Sequence, residues 1–301
     1  MSNVRVGTSG WNYPRGPGTW NGVFYPASDA RPKRFDELAY YAQHFDTVEV
    51  NATFYGQPRE AVTRSWVKRT PQGFEFSIKL YQKFTHPRMF RERIAGSLSR
   101  AEADLASDEV AEVVTELARP TEADLDEFRR GIAPLAAAGR LGVLLAQFPP
   151  SFKNTAVERD YLAGLLRALS DYPVAVELRH RSWSDEISGT LDLLNSHQAS
   201  WVQIDEPKFQ FSIRQNLLPN LKGVYYMRLH GRNAAEWWRH NTPDDRYNYY
   251  YSESELQEFS GTLGAVRTIV KKAYLYTNNH YSAKSVANAV TIKRQLGEPI
   301  D

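Results

Sequence analysis

Eight short apolar runs recur along the chain, and nearly all of them end in polar, aromatic or glycine residues. They read VRVGTSGW (4–11), TVEVNATFY (47–55), FEFSIKL (74–80), LGVLLAQF (141–148), VAVELRH (174–180), SWVQID (200–205), GVYYMRLHG (223–231) and AYLYTNN (273–279). A segment long enough for a helix separates most of them. Alternating strand and helix patterns predict an α/β protein with a parallel sheet. Eight of them predict a TIM-like (β/α)8 barrel, here a single domain over residues 1–301. In such a barrel the site lies at the C-terminal ends of the strands, so the endings of the runs name its candidate residues.

The segments between the runs carry helical spacing, as in RFDELAYYAQHF (34–45) and REAVTRSWVKRT (59–70), the latter stopping before Pro71. The stretch 88–140 exceeds what one crossover needs. Its two helical patterns, around 101–118 and 122–138, flank Pro120 and read as a helical insertion after strand 3, too small for a core of its own. Further helices are predicted over about 155–169, 184–197, 253–271 and 282–296. Ser252 with Glu255 three residues on has the pattern of a capping box. The aromatic loop 232–252 after strand 7 is a candidate lid.

Composition excludes several chemistries. With no cysteine there is no disulfide, thiolate zinc site or cysteine nucleophile. A net charge of +2 argues against nucleic-acid binding driven by overall charge. MSNVRVGTSG has no signal-peptide pattern, and no run approaches the roughly 18 apolar residues of a membrane span. The expectation is a cytoplasmic protein with no membrane partner.

The strand endings bring together Gly10 and Trp11; Glu49, Asn51 and Tyr55; Lys79 and His86; Glu177, Arg179 and Trp183; Asp205; Arg228, His230 and Arg232; and Asn278 with Asn279. Strand alternation puts Glu49 with Asn51, Glu177 with Arg179, and Arg228 with His230, each pair on one face, the inward one. Few of these residue types belong in a dry core without partners. Lys79, Lys83, Arg179, Arg181, Arg228 and Arg232 would make the mouth positive and suit an anionic ligand. Backbone amides of GTSG could add to that. Four histidines near strand ends, His86, His180, His230 and His280, show no tight metal-ligand spacing, so no metal or other cofactor is predicted, with a divalent metal as the lesser option. Aromatic residues on the loops, among them Trp11, Tyr13, Trp237, Trp238 and the YNYYY run, could stack on a sugar or base, or on one another.

GTSGWNYP, GVFYP, YYAQHFDTVEVNATFY, FEFSIKLYQKFTHP, LLAQFPPSF, VELRHRSW, YMRLHGR and YTNNHYSAKSVANA, in this order from about residue 5 to 295, resemble the domain-of-unknown-function-72 family. The resemblance implies a single TIM-like barrel with polar residues at its C-terminal mouth, and implies no reaction. It marks Gly10, Trp11, Glu49, Asn51, Phe54, Tyr55, Lys79, His86, Glu177, Arg179, Trp183, Asp205, Arg228, His230, Gly231, Arg232, Asn278 and Asn279 as the positions of interest. The chain departs from the pattern at Thr277, where an aromatic residue is expected before the Asn pair.

Two functional readings follow. In the first, the chain is a metal-independent hydrolase or lyase acting on a phosphorylated or otherwise anionic small molecule. Glu49 or Glu177 serves as base, His230 or His86 as acid, and Lys79, Arg179 and Arg228 as anion clamp. Gly10, Trp11, Asn51, Tyr55, Trp183, Asp205, Arg232, Asn278 and Asn279 complete the substrate site. In the second, Arg, Lys and aromatic residues of WWRHNTPDDRYNYYY bind nucleic acid, a likeness to the endonuclease IV barrel by fold analogy only. A polar network that merely closes the barrel top would leave Glu177 and Arg228 structural.

Overall fold

The computed structural model describes residues 2–97, 107–215, 223–237 and 245–299. Parallel strands and helices alternate along the chain. The strands are β1 (Val4–Thr8), β2 (Thr47–Val50), β3 (Glu75–Lys79), β4 (Leu141–Gln147), β5 (Val174–Glu177), β6 (Ser200–Trp201), β7 (Gln203–Asp205), β8 (Val224–Leu229) and β9 (Lys272–Thr277). They form two parallel sheets, in the orders β1-β9-β8-β7 and β2-β3-β4-β5-β6.

The run SWVQID is split between the sheets. Ser200–Trp201 pairs with β5, Gln203–Asp205 pairs with β8, and Val202 between them still donates its amide to the Val176 carbonyl at 2.9 Å. At the other edge β1 and β2 touch through a bridge between Ser9 and Glu49, where the Gly10 amide donates to the Glu49 carbonyl at 2.7 Å. Gly7 makes this approach feasible, because a Cβ there would stand 2.4 Å from the Thr47 carbonyl oxygen. These features are consistent with a TIM-like barrel.

Side chains from distant strands meet in polar layers. Tyr274 of β9 donates to Glu75 of β3 at 2.6 Å, with Lys272 and Arg5 on the same carboxylate. One layer up, the Tyr276 hydroxyl lies 2.6 Å from Thr47 Oγ1 and 2.9 Å from Ser77 Oγ. The next layer holds Glu49, Tyr226, Arg228 and Glu177. The alternate residues Val48, Val50, Phe76, Ile78 and Val176 are buried in the apolar core shared with the helices.

The predicted helices are present with shifted ends, at Glu37–His44, Glu60–Arg69, Ala156–Ala168, Glu253–Val266 and Lys284–Leu296. The segment predicted over 184–197 is two pieces, Ser182–Asp185 and Ile187–Ser196. Ser252 and Glu255 form the capping box, each side chain meeting the other's backbone amide. In the insertion, Pro87–Ser97, Ser107–Leu117 and Glu122–Ala137 are helical. The last of these packs on Glu60–Arg69, where Gly131 lies so close to Pro58 that a Cβ would fall 2.1 Å from its carbonyl oxygen. It is thereby the crossover helix of β3 to β4.

One strand ends earlier than its pattern suggests. β2 stops at Val50, and Ala52–Tyr55 is a helical turn, with Asn51 already in the right-handed helical region (φ −89°, ψ −20°). Thr53 Oγ1 holds the turn onto β3 by donating to the Lys79 carbonyl at 2.6 Å. Asn51 therefore does not continue the alternation that starts at Glu49. Among the described residues no helix is long and apolar enough to cross a membrane.

Candidate functional site

Arg228, 1% exposed, organises the polar layer at the C-terminal strand ends. Its Nε and Nη2 donate to the two oxygens of Glu49 at 2.8 and 2.7 Å, a bidentate pair. Its Nη1 donates to Glu177 Oε2 at 2.6 Å and to Gln147 Oε1 at 3.0 Å. Ser9 Oγ and the Tyr226 hydroxyl complete Glu49. Four strand ends, those of β2, β4, β5 and β8, are thus tied to one guanidinium. Arg179 extends the array through Glu177 Oε1 at 2.7 Å and Glu206 Oε2 at 3.3 Å.

The charges of the array are set by this packing. Burial pushes the Glu177 carboxyl up, but Arg228 and Arg179 outweigh it and hold it well below the usual carboxylate range. For Arg228, burial opposes the charge, and Glu177 with Glu49 restores it so that its pKa rises. Glu206, at the end of the chain of pairs, is pushed up by burial. His230 is fully buried, and burial lowers its pKa to about 3, so its imidazole is neutral at pH 7. Asn278 Nδ2 lies 2.9 Å from His230 Nδ1. His230 Nε2 faces the guanidinium nitrogens Arg179 Nη2 at 3.2 Å and Arg228 Nη1 at 3.4 Å, and Glu177 Oε1 at 3.4 Å.

Lys79 differs from the other cations. It ends β3, the residue is half-buried, and among the described residues it has no carboxylate within ion-pair distance. Its Nζ rests 4.2 Å above the centroid of Phe54, and His86 meets the same ring edge-on at 4.9 Å. Burial and then the Arg228 charge bring the Lys79 amine down to about 7. His86, lowered to about 3 by burial and then by Lys79, is also neutral. Asn51 Oδ1 and Gln82 Nε2, from the segments that follow β2 and β3, are buried without a hydrogen-bond partner.

The remaining candidates are placed elsewhere or already occupied. Arg232 is held by Asp205 through Nε at 2.9 Å and Nη2 at 2.9 Å, and by Glu255 at 3.1 Å, with the Tyr251 hydroxyl donating to Asp205 at 2.7 Å. Lys83 pairs with Asp124 at 2.8 Å and Arg181 with Asp185 at 2.9 Å, away from the array. Trp183 is fully buried, stacks on Phe152 and donates Nε1 to its carbonyl at 2.9 Å. Trp11 meets Trp66 edge-on at 5.5 Å, and Tyr55 is 67% exposed. Asn279 donates to the Tyr249 carbonyl and to Asn288, each at 2.8 Å. The Ser9 and Gly10 amides donate to Thr277 and Glu49 carbonyls, so neither is open to an anion. Thr277, fully buried, donates to the Ser285 carbonyl at 2.9 Å and ties β9 to its helix. His180 sits beside Ser182 and His280 stacks on Tyr13 at 4.3 Å. Trp238 and part of the predicted lid, 238–244, lie outside the described residues.

Tyr226 escapes the reading of strand endings, although it is two residues before Arg228 on the same face and the alternation carried backward reaches it. Among the described residues no group of three or more His, Asp and Glu is arranged to hold a metal ion. Two cavities of about 400 and 440 Å³ lie apart from the array, one at the N-terminal strand ends around Arg5 and Asp46, the other beside Arg232 and Phe259. Neither is lined by Lys79, Glu177 or Arg228.

Fold and site together define an α/β protein whose parallel strands converge on a buried Arg–Glu array. A family model described as "Protein of unknown function DUF72" matches residues 5–300, and the chain belongs to that family. It is 25% identical to the UPF0759 protein YunF of Bacillus subtilis (strain 168), over 99% of this chain and 95% of that protein. A DUF72 family protein of Thermotoga maritima MSB8 matches at 30% identity with a TM-score of 0.75, covering 98% of this chain and 99% of the other. One from Enterococcus faecalis V583 matches the fold at 24% identity and a TM-score of 0.75, covering 99% and 97%. None of these descriptions states a reaction.

Proposed function

We infer that the two sheets close into one (β/α)8 barrel, a single domain, and that the chain is an enzyme acting at its C-terminal mouth. Hydrogen bonds between strands that are not neighbours support the closure. Arg228 on β8 reaches Glu49 on β2 and Glu177 on β5, and Tyr276 on β9 reaches Ser77 on β3, which requires side chains to cross an interior.

The reading supported best is acid–base chemistry, as in a hydrolase or lyase, on a small anionic molecule. One observation carries it: Lys79 is a half-buried lysine at a strand end, without a carboxylate partner among the described residues, beside guanidiniums that are already paired with carboxylates. Arg228 spends its donors on Glu49, Glu177, Gln147 and Ser9, Arg179 pairs with Glu177 and Glu206, and both act as positioning residues that fix the positive field. Glu177, held ionised by two guanidiniums, is a poor base. A lysine with pKa near 7 both gives and takes a proton at neutral pH.

Titration calorimetry with inorganic phosphate tests this reading. Wild type should bind it, binding should weaken as pH rises through about 7, and Lys79→Met should weaken it by about tenfold or more, the loss of one charge-assisted contact. Absence of binding, or equal binding by the variant, would overturn the reading. Binding of single-stranded DNA with a steep salt dependence would favour the nucleic-acid alternative instead.

A further inference from the structure

The environment of Lys79 is unusual for a mere anion anchor. A lysine that only holds an anion serves best when fully charged and flexible, and a neighbouring carboxylate favours the charged form. Here two carboxylates are close enough to act on the amine electrostatically, yet Arg228 and Arg179 consume them. The amine is instead left over an aromatic face, with the Arg228 and Arg179 charges acting on it electrostatically. Phe54 lies under Nζ at 4.2 Å and, together with the His86 ring, forms a wall at the edge of the mouth. The backbone at Lys79 is held in place, because its carbonyl accepts the Thr53 hydroxyl at 2.6 Å.

We propose that Lys79 captures the carbonyl carbon of a small aldehyde or ketone substrate as a covalent imine. The proposal rests on Lys79 being the reactive group of the mouth, as argued above, and adds the substrate class. The lone pair of neutral Nζ forms the new C–N bond as the carbonyl π pair moves to oxygen. Nζ loses a proton and the oxygen gains one, giving a carbinolamine. The hydroxyl then takes a second proton and leaves as water, and the second Nζ proton returns to solvent, giving a neutral imine. Amine and carbonyl thus yield imine and water, with no oxidant or reductant. In its protonated form the imine is a cation and keeps the attraction of the Phe54 face that the ammonium had. Burial, and after it the Arg228 charge, supplies the neutral amine that the first step needs.

The test is reductive trapping of the full chain with glyoxylate and borohydride, followed by peptide mapping for N-carboxymethyl-lysine. Modification should fall on Lys79 at least about tenfold above the mean of the other lysines at pH 7, because ordinary lysines titrate near 10.4. Its rate should rise as pH increases through about 7 and then level off. Lys79→Arg, which keeps a cation but cannot condense, should abolish the selective adduct. The wild-type map alone decides the matter if that variant fails to fold. Modification spread evenly over the lysines, or sparing Lys79, overturns the proposal. If Lys79-dependent phosphate binding holds and selective trapping does not, the covalent step falls and the acid–base reading stands. If phosphate binding also ignores Lys79, both fall.

Discussion

Single residues separate what the molecule needs to stand from what it needs to act. Arg228 pairs with two fully buried carboxylates, one of which Arg179 shares. Removing one partner of a buried pair typically costs about 3–5 kcal/mol, because the other charge is left unpaired. Arg228→Met should therefore lower unfolding stability by about that amount in urea denaturation, and a loss below about 1 kcal/mol would contradict the tie described here. Lys79 should behave oppositely. Its folded pKa, near 7, lies below the unfolded value near 10.5, so the unfolded chain binds the proton more tightly between those values. Stability owed to this group falls as pH drops from 10.5 to 7. Lys79→Met should then be more stable than wild type at pH 7, with the gain shrinking as pH rises toward 10.5 in thermal melts. A variant less stable at pH 7 would show that the amine is not burdened by its surroundings. The candidate residues were legible because polar groups stand where apolar runs end. Their roles were not, because pairing depends on which distant strands come opposite one another. Nothing local to Arg228 says that Glu49 and Glu177, 179 and 51 positions away, use up its donors.

At the scale of elements, local patterns predicted existence better than ends. The capping box at Ser252 was readable since both halves lie within one turn. The stop of β2 was hidden, because β-favouring Thr53, Phe54 and Tyr55 follow it and only the Thr53 bond to β3 turns them into a helix. The split of SWVQID at Val202 arises from where its neighbours end, which one strand's residues do not reveal. Trp183 reads equally well as a site or a core residue until Phe152 is seen beneath it. The insertion offers a test of packing. An added methyl at Gly131 meets the backbone of Pro58, not the tip of a flexible side chain. Gly131→Ala should cost about 1–3 kcal/mol, the usual range for overpacking, despite alanine's better helix propensity. A neutral or stabilising result in urea melts would mean the helix Glu122–Ala137 packs less tightly than described.

For the whole molecule, the buried imidazoles predict how it fails in acid. His230 and His86 have folded pKa values near 3, below the unfolded value near 6.5, so both resist protonation only while folded. The unfolded state gains protons first, and stability falls as pH drops from about 6.5 toward 3. Glu177, also depressed, adds stability that is present above the ordinary carboxylate range and is lost as pH falls through that range toward its lowered value. Urea midpoints from pH 7 to pH 4 should decline steadily, and His230→Asn should flatten part of that decline. A midpoint independent of pH across this window would refute the assignment of neutral buried histidines.

The saturation of Arg228 has a further consequence for how such a protein diversifies. A guanidinium with every donor committed to four strand ends behaves as a fixed floor that selection cannot readily edit, since each change leaves a buried charge behind. Phe54, His86 and Lys79 stand on that floor and are bound into it far less tightly. Substitutions at Phe54 and His86 should change what the proposed site accepts while Lys79 and the scaffold beneath stay intact. Under the proposed function, the lineage can thus explore new substrates one rim position at a time, with its architecture insulated from the search.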